Sequence, residues 1–137
     1  MSYLIDTNVL SELRKRVPDT NVVRWVAERP AATLYLSVLT LGELRKGITA
    51  LPEGARRQKL QDWLEVELPA FFAGRILPVD VAVAERWGWL MGAAGRSLPA
   101  IDSLLAATAL THKLTLVTRN LKDFHTPNLD VQNPWET

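Results

Sequence analysis

Three short apolar runs, each followed by polar residues and then by a helical stretch, constrain this chain more than any other feature. Tyr3-Leu4-Ile5, residues 33–37 and residues 114–118 are rich in β-branched, aromatic and aliphatic residues and too short for buried helices, so they read as strands. The segments between them carry apolar residues at helical spacing. Strands that alternate with helices build a parallel sheet, because each helix returns the chain to the start of the next strand. The expected class is α/β: three layers, with a central, mostly parallel β-sheet flanked by α-helices. At 137 residues the chain suits one domain, taken as residues 1–137.

The remaining elements follow from the same signals. Val9, Leu10 and Leu13 place a helix after the first strand, and a second helix is expected over 22–29, before Pro30. Leu41, Leu44 and Ile48 mark a helix after residues 33–37, and Thr40-Leu41-Gly42-Glu43 matches a capping box at its start. Residues 55–72 read as one long amphipathic helix with a buried stripe of Leu60, Trp63, Leu64, Leu68 and Phe71; Pro69 should kink or break it near its end. Residues 76–79 form a short strand, placed at an edge because Pro78 cannot donate to a ladder. Residues 81–94 are helical, with Gly95 as terminator. An alanine-rich helix over about 101–112 precedes the strand at 114–118, and residues 129–131 suit a last short strand.

Composition enters mainly by exclusion. There is no cysteine, which removes disulfides, thiolate metal sites and cysteine nucleophiles. No secretory leader or membrane-length apolar run is visible, so a cytoplasmic protein with no membrane partner is expected. The net charge of +1 is too small to argue for nucleic acid by itself; such a reading must rest on a site.

The site signal is a set of acids. Asp6 ends the first strand, Glu43 is expected in the first turn after the second, Asp102 opens the alanine-rich helix, and Asp123 follows the last strong strand, after Asn120. Ligands of parallel sheets bind beyond the carboxyl ends of the strands, and Asp6, Glu43 and Asp123 should share that edge, with Asp102 joining if its helix starts there. Converging carboxylates repel one another. A hard divalent cation relieves the repulsion, keeps several waters, and makes one of them a nucleophile toward a phosphoryl group. Each acid also has a plain structural reading: Asp6 and Asp102 as helix caps, Glu43 as the partner of Thr40, Asp123 in an Asx turn. Capping explains each one separately but does not require them to meet.

These residues resemble a known family. Leu4-Ile5-Asp6-Thr7-Asn8-Val9-Leu10-Ser11-Glu12-Leu13, the stretch Ser37-Val38-Leu39-Thr40-Leu41-Gly42-Glu43-Leu44-Arg45-Lys46-Gly47, Pro99-Ala100-Ile101-Asp102 and Leu116-Val117-Thr118-Arg119-Asn120-Leu121-Lys122-Asp123-Phe124 are similar, in order and spacing, to the four motifs of the VapC toxins of the PIN-domain type, including the FitB-like proteins. The resemblance implies a PIN-like fold, a Mg²⁺ or Mn²⁺ cofactor, and endonucleolytic cleavage of RNA leaving a 5′-phosphate and a 3′-hydroxyl. It also implies a cognate antitoxin and a homodimer. It makes Asp6, Glu43 and Asp102 the catalytic, metal-binding triad, with Asp6 and Asp102 as direct ligands and Glu43 binding metal or orienting the attacking water. Many relatives carry a fourth acid where this chain has Asn120, so Asn120 and Asp123 are assigned supporting places. Asn8 and Thr118 are expected to hold the acids, and Thr7 to help through backbone contacts.

Arg14, Arg45 and Lys46 are candidates for RNA phosphates, although cations also favour helix C-termini and solvated faces. Trp87 and Trp89 must point to different faces of their helix, so one is expected to be exposed in the isolated chain and covered at an interface. His112 and His125 are read as structural. Two rivals remain in view: a Mg²⁺-dependent phosphatase of haloacid dehalogenase-like type, weakened because Asn8 stands where a second acid is needed, and a PIN-like binding module without activity.

Overall fold

The computed structural model describes residues 1–137. Five strands form one sheet in the order β3-β2-β1-β4-β5, with β1 at Tyr3–Ile5, β2 at Leu34–Ser37, β3 at Ile76–Leu77, β4 at Thr115–Val117 and β5 at Val131–Gln132. Every pairing is parallel. The chain builds outward from β1 through β2 to β3, then returns to add β4 on the other side of β1. That reversal is the topological switch point, and a crevice opens beyond the carboxyl ends of β1 and β4. As expected, the strand bearing Pro78 after it sits at an edge.

Alternation along the strands divides the core. Ile5, Leu34, Leu36 and Val117 face one layer, built from α1 (Thr7–Leu13), α2 (Thr20–Ala27), α3 (Val38–Thr49), α4 (Ala55–Asp62) and the segment that follows it; Trp25, Leu44, Trp63 and Phe72 are buried there. Leu4 and Leu116 face the opposite layer and pack on Leu105, Ala106 and Ala109 of α7 (Ala100–His112). The small alanine side chains let α7 approach the sheet closely. Ala107, on another face of α7, meets Val83 and Leu90 of α6 (Val81–Ala94). Gly95 ends α6 in the left-handed region at φ 67°, where an L side chain is disfavoured.

Three local expectations change. Helix α2 starts earlier than 22 because the Asp19 side chain accepts from the backbone N–H of Asn21 and Val22. Glu43 takes no part in a capping box: Ser37 is the N-cap of α3, accepting from Leu39 N at 3.0 Å, and the Thr40 hydroxyl is buried without a partner.

The third change concerns Pro69, which neither ends nor breaks the long helix. A π-helical segment, Trp63–Glu67, joins α4 to α5 (Leu68–Phe71), and Leu68 N–H reaches back to Trp63 O. The wider turn makes room for a ring that would otherwise press on the preceding turn. It also shifts the helix phase. Phe72 therefore enters the core, whereas Phe71, expected in the stripe, is 49% exposed.

Candidate carboxylate site

Helix α1 starts directly from the end of β1, which sets Asp6 at the mouth of the switch-point crevice. The residue is only 6% exposed. Its Oδ1 accepts from Thr7 N at 2.7 Å and its Oδ2 from the Thr118 hydroxyl at 2.8 Å. Thr118 follows β4, so this second bond ties the two strands at the switch point together. The Thr118 oxygen also accepts from Asn8 Nδ2 at 3.1 Å and from Asn120 N at 3.1 Å. Asn8 Oδ1 in turn accepts from Arg119 N at 3.3 Å. The expected supporting places of Asn8 and Thr118 thus have a concrete network around Asp6, while Asn120 joins it through its backbone.

Glu43 reaches the same mouth from the first half of α3. The Thr7 hydroxyl donates to its Oε1 at 2.6 Å, so Thr7 acts through its side chain as well as its backbone. Asp102 lies in the first turn of α7, whose N-cap is Pro99. Asp102 is no cap, and its carboxylate accepts no hydrogen bond from the chain. Asp123 ends the 3-10 turn Leu121–Asp123 and is exposed; it too makes no side-chain hydrogen bond, so the Asx-turn reading falls away.

The electrostatics identify these acids as one group. Burial raises the Asp6 carboxyl above its ordinary range; the bonds from Thr118 and Thr7 oppose this without cancelling it, and the charges of Glu43 and Asp102 add to it. Asp102 is raised by burial, then by Asp123 and Glu43. The structure therefore links residues 6, 43, 102 and 123 in one field of mutual repulsion.

The donor set suits a hydrated divalent cation. No three acids or histidines form a ready-made cage, but Mg²⁺ commonly takes one or two carboxylates and completes its shell with water. Asp6 Oδ1 retains a lone pair beside its one hydrogen bond, Oδ2 accepts from Thr118 and, at 3.5 Å, from Asn8 Nδ2, and both Asp102 oxygens are free of hydrogen bonds from the chain. All the donors are hard oxygens, as such an ion prefers.

A cavity of about 460 Å³ is lined by Asp102, Asp123 and residues of α6, and another of about 210 Å³ by Thr7, Glu43, Arg14 and Arg56. Arg14 stacks over the Trp63 ring at 5.2 Å. Of the other two cations proposed for phosphates, Arg45 is paired with Glu65 at 2.9 Å, and Lys46 is exposed and unpaired. Sequence reasoning missed Arg56, whose place depends on how α4 packs against α3. The two tryptophans separate as expected: Trp87 donates to Ser103 Oγ at 2.9 Å, and Trp89 is 69% exposed. His112 lies outside the carboxylate group, whereas His125 lines the same cavity as Asp102 and Asp123.

An all-parallel α/β sheet with carboxylates gathered at its switch point defines a class of domain, and similarity to known proteins narrows it. Residues 3–126 match the PIN domain family. A VapC ribonuclease of Sinorhizobium fredii is 41% identical over 136 residues, covering 97% of each chain. The toxin FitB of Neisseria gonorrhoeae is 38% identical over 135 residues, covering 96% of this chain and 97% of its own. The crystal structure of FitAcB from the same organism superposes with a TM-score of 0.90 at 37% identity, covering 98% and 99% of the two chains. Solved structures sharing the fold include toxin–antitoxin complexes. The chain belongs to the PIN domain family, on its VapC and FitB branch.

Proposed function

We propose that this chain is a Mg²⁺-dependent endoribonuclease, the toxin of a type II toxin–antitoxin pair, that hydrolyses RNA phosphodiesters at Asp6, Glu43 and Asp102. The observation that carries the reading is the acid group as a whole: Thr7 bonds Asp6 through its N–H and Glu43 through its hydroxyl, Glu43 and Asp102 act on Asp6, Asp123 and Glu43 act on Asp102, and none of Asp6, Glu43 and Asp102 has an ion pair. Asp6 is the N-cap of α1, as the structural reading of the sequence had it, but the bonds from Thr7 N and Thr118 do not offset its burial, so capping alone does not account for it. A haloacid dehalogenase-like phosphatase fits less well, because Asn8 braces Asp6 and Thr118 where that chemistry needs an acid. An inactive binding module would have no use for acids that repel.

Asp6 and Asp102 hold the cation, with Mn²⁺ as an alternative to Mg²⁺. When bound, the ion supplies positive charge to the phosphoryl oxygen and lowers the pKa of a water. The bonds from Thr118 and Thr7 favour the ionised form of Asp6 against burial and fix its direction. Glu43, anchored by the Thr7 hydroxyl at one oxygen, has the other free to hold a metal shell or take a proton from the attacking water. Asp123 adds negative charge near Asp102, and Asn120 reinforces Thr118. Arg14 and Lys46 are available for phosphates; Arg45 must first leave Glu65.

The same reading includes a cognate antitoxin, a homodimer and a cytoplasmic setting, and treats residues 1–137 as one domain. The test is cleavage of a defined RNA by the purified chain, with Mg²⁺ and with EDTA. Asp6→Asn and Asp102→Asn should each lower the rate by more than about a hundredfold while circular dichroism stays unchanged. Cleavage that persists in either folded variant, or in EDTA, overturns the assignment.

A further inference from the structure

The cavity beside Asp102 contains more than carboxylate chemistry requires. Its inner wall is apolar, with Leu90, Ala106 and Phe124 buried. Trp89, Arg86 and Arg96 also line it and are exposed. Arg86, Trp89, Leu90 and Ala93 follow one another on α6 at the spacing that puts them on a single helix face. Trp87 points elsewhere, held by Ser103. Neither Arg86 nor Arg96 is among the ion pairs of the chain, and neither makes a side-chain hydrogen bond. Two unneutralised cations and an exposed indole therefore stand in the same cavity as Asp102 and Asp123.

We propose that this cavity is a nucleotide subsite, in which one unpaired base of the substrate RNA stacks on Trp89 while Arg86 and Arg96 hold the phosphates flanking the scissile bond. The inference rests on the ribonuclease reading above and deepens it by assigning a base-stacking residue, Trp89, and two phosphate-holding residues, Arg86 and Arg96, beside Asp102.

Three observations favour this occupant. Asp102 and Asp123 are part of the cavity wall, so a strand whose phosphate lies at Asp102 has this cavity beside it for a neighbouring nucleotide. A volume of about 460 Å³ accommodates a base with its sugar. The unpaired arginines complement a phosphodiester and offset the charge of Asp102 and Asp123 on this side. Unstacked bases on aromatic side chains are the usual means of recognising single-stranded RNA. A base paired within a duplex cannot turn into the cavity without breaking its pair, so structured RNA is disfavoured.

The test uses the whole chain, with an unstructured oligoribonucleotide that the wild type cleaves and a hairpin of matched stem composition closed by a base-free linker, so that it offers no unpaired base. In EDTA, which stops the reaction, the single strand should quench tryptophan emission and the hairpin should bind more weakly. Trp89→Ala should weaken single-strand binding about tenfold and remove part of the quenching, and Trp89→Phe should restore most of the affinity. With Mg²⁺, Trp89→Ala should raise KM by about the same factor and leave kcat nearly unchanged. Arg96→Ala should lower the slope of log affinity against log salt by about 0.7.

Equal affinity of Trp89→Ala and wild type, with cleavage still dependent on Asp102, overturns the subsite and leaves the nuclease reading intact. So does equal binding of hairpin and single strand. Trp89 emission that changes with protein concentration and not with RNA assigns the face to a second copy of the chain, which also overturns it. Failure of the wild type to cleave any RNA overturns the nuclease reading itself, and the subsite with it.

Discussion

Asp6 and Glu12 stand at opposite ends of α1, and both are only 6% exposed, yet the fold treats them in opposite ways. Glu12 is compensated. Its Oε1 pairs with Lys15 at 2.9 Å and its Oε2 accepts from Asp19 N at 2.9 Å, which pins the loop between α1 and α2. The Lys15 hydrogen bond leads the effects that pull its carboxyl below the ordinary range, with the Asp19 N–H and the charges of Lys15 and Arg119 acting in the same direction against burial. Asp6 has hydrogen bonds too, but no cation, and other acids face it, so burial keeps its carboxyl above the ordinary range. A buried acid with its own cation is part of the scaffold. A buried acid without one is poised for a cation from outside, which separates stabilising residues from functional ones.

The contrast is broken or sharpened by changing each kind of acid in turn. Glu12→Ala should have the largest effect on stability, about 2–3 kcal/mol by urea unfolding at pH 7, because it removes a charge-assisted bond and leaves the Asp19 N–H unpaired. A carboxyl with a lowered folded pKa contributes stability above its unfolded value and loses it as the pH falls through the folded value. The gap between wild type and variant should therefore narrow in acid. A gap that stays constant with pH would mean Glu12 acts through packing alone.

Asp102→Asn should have a smaller effect of opposite sign. The Asp102 carboxylate accepts no hydrogen bond from the chain, so the change removes repulsion and burial of a charge, offset in part by the lost interaction of that charge with the first turn of α7. Without metal at neutral pH, Tm should rise by about 2 °C, a modest shift because solvent screens the charge. A raised folded pKa makes stability fall as pH rises from the unfolded value to the folded one. The advantage of the variant should thus appear above that window and vanish below it. Millimolar Mg²⁺ should raise the Tm of the wild type and not that of the variant. A variant less stable than wild type in EDTA would show that Asp102 is structural after all.

The smallest change is expected for Glu65→Gln, which breaks the pair with Arg45. Both side chains are about half exposed, and the loss in urea unfolding should stay under about 0.5 kcal/mol. A larger loss would indicate that pairing, rather than burial, sets the weight of an acid in this protein.

How much could be read in advance depended on the range of each interaction. Strand β1, the alanine-rich α7 and the strand at β4 were visible because apolar patterning is local. The common edge expected for Asp6, Glu43 and Asp123 came from a topological rule about parallel sheets, with Asp102 joining only if its helix starts there. Capping at Glu43 was misread for the same reason that strands were read well. Thr40 and Glu43 have the right local spacing, but a stronger long-range partner, Thr7, takes the carboxylate, and Ser37 is already at the N-cap. Phe71 and Phe72 changed places because a π turn ahead of Pro69 altered the helix phase, which periodicity assumes to be constant.

The order of residues along the chain was enough to settle which segments become strands and helices, and that the acids lie at strand ends and helix starts. Those properties depend on neighbours a few positions away. Folding in three dimensions decided the rest: that Thr118 holds Asp6, that Glu12 is neutralised and Asp6 is not, and that Trp89 and two unpaired arginines stand beside Asp102. Each of these depends on burial or on contacts across packed elements, and a charge acquires its energetic meaning only when the surrounding water is replaced by particular neighbours.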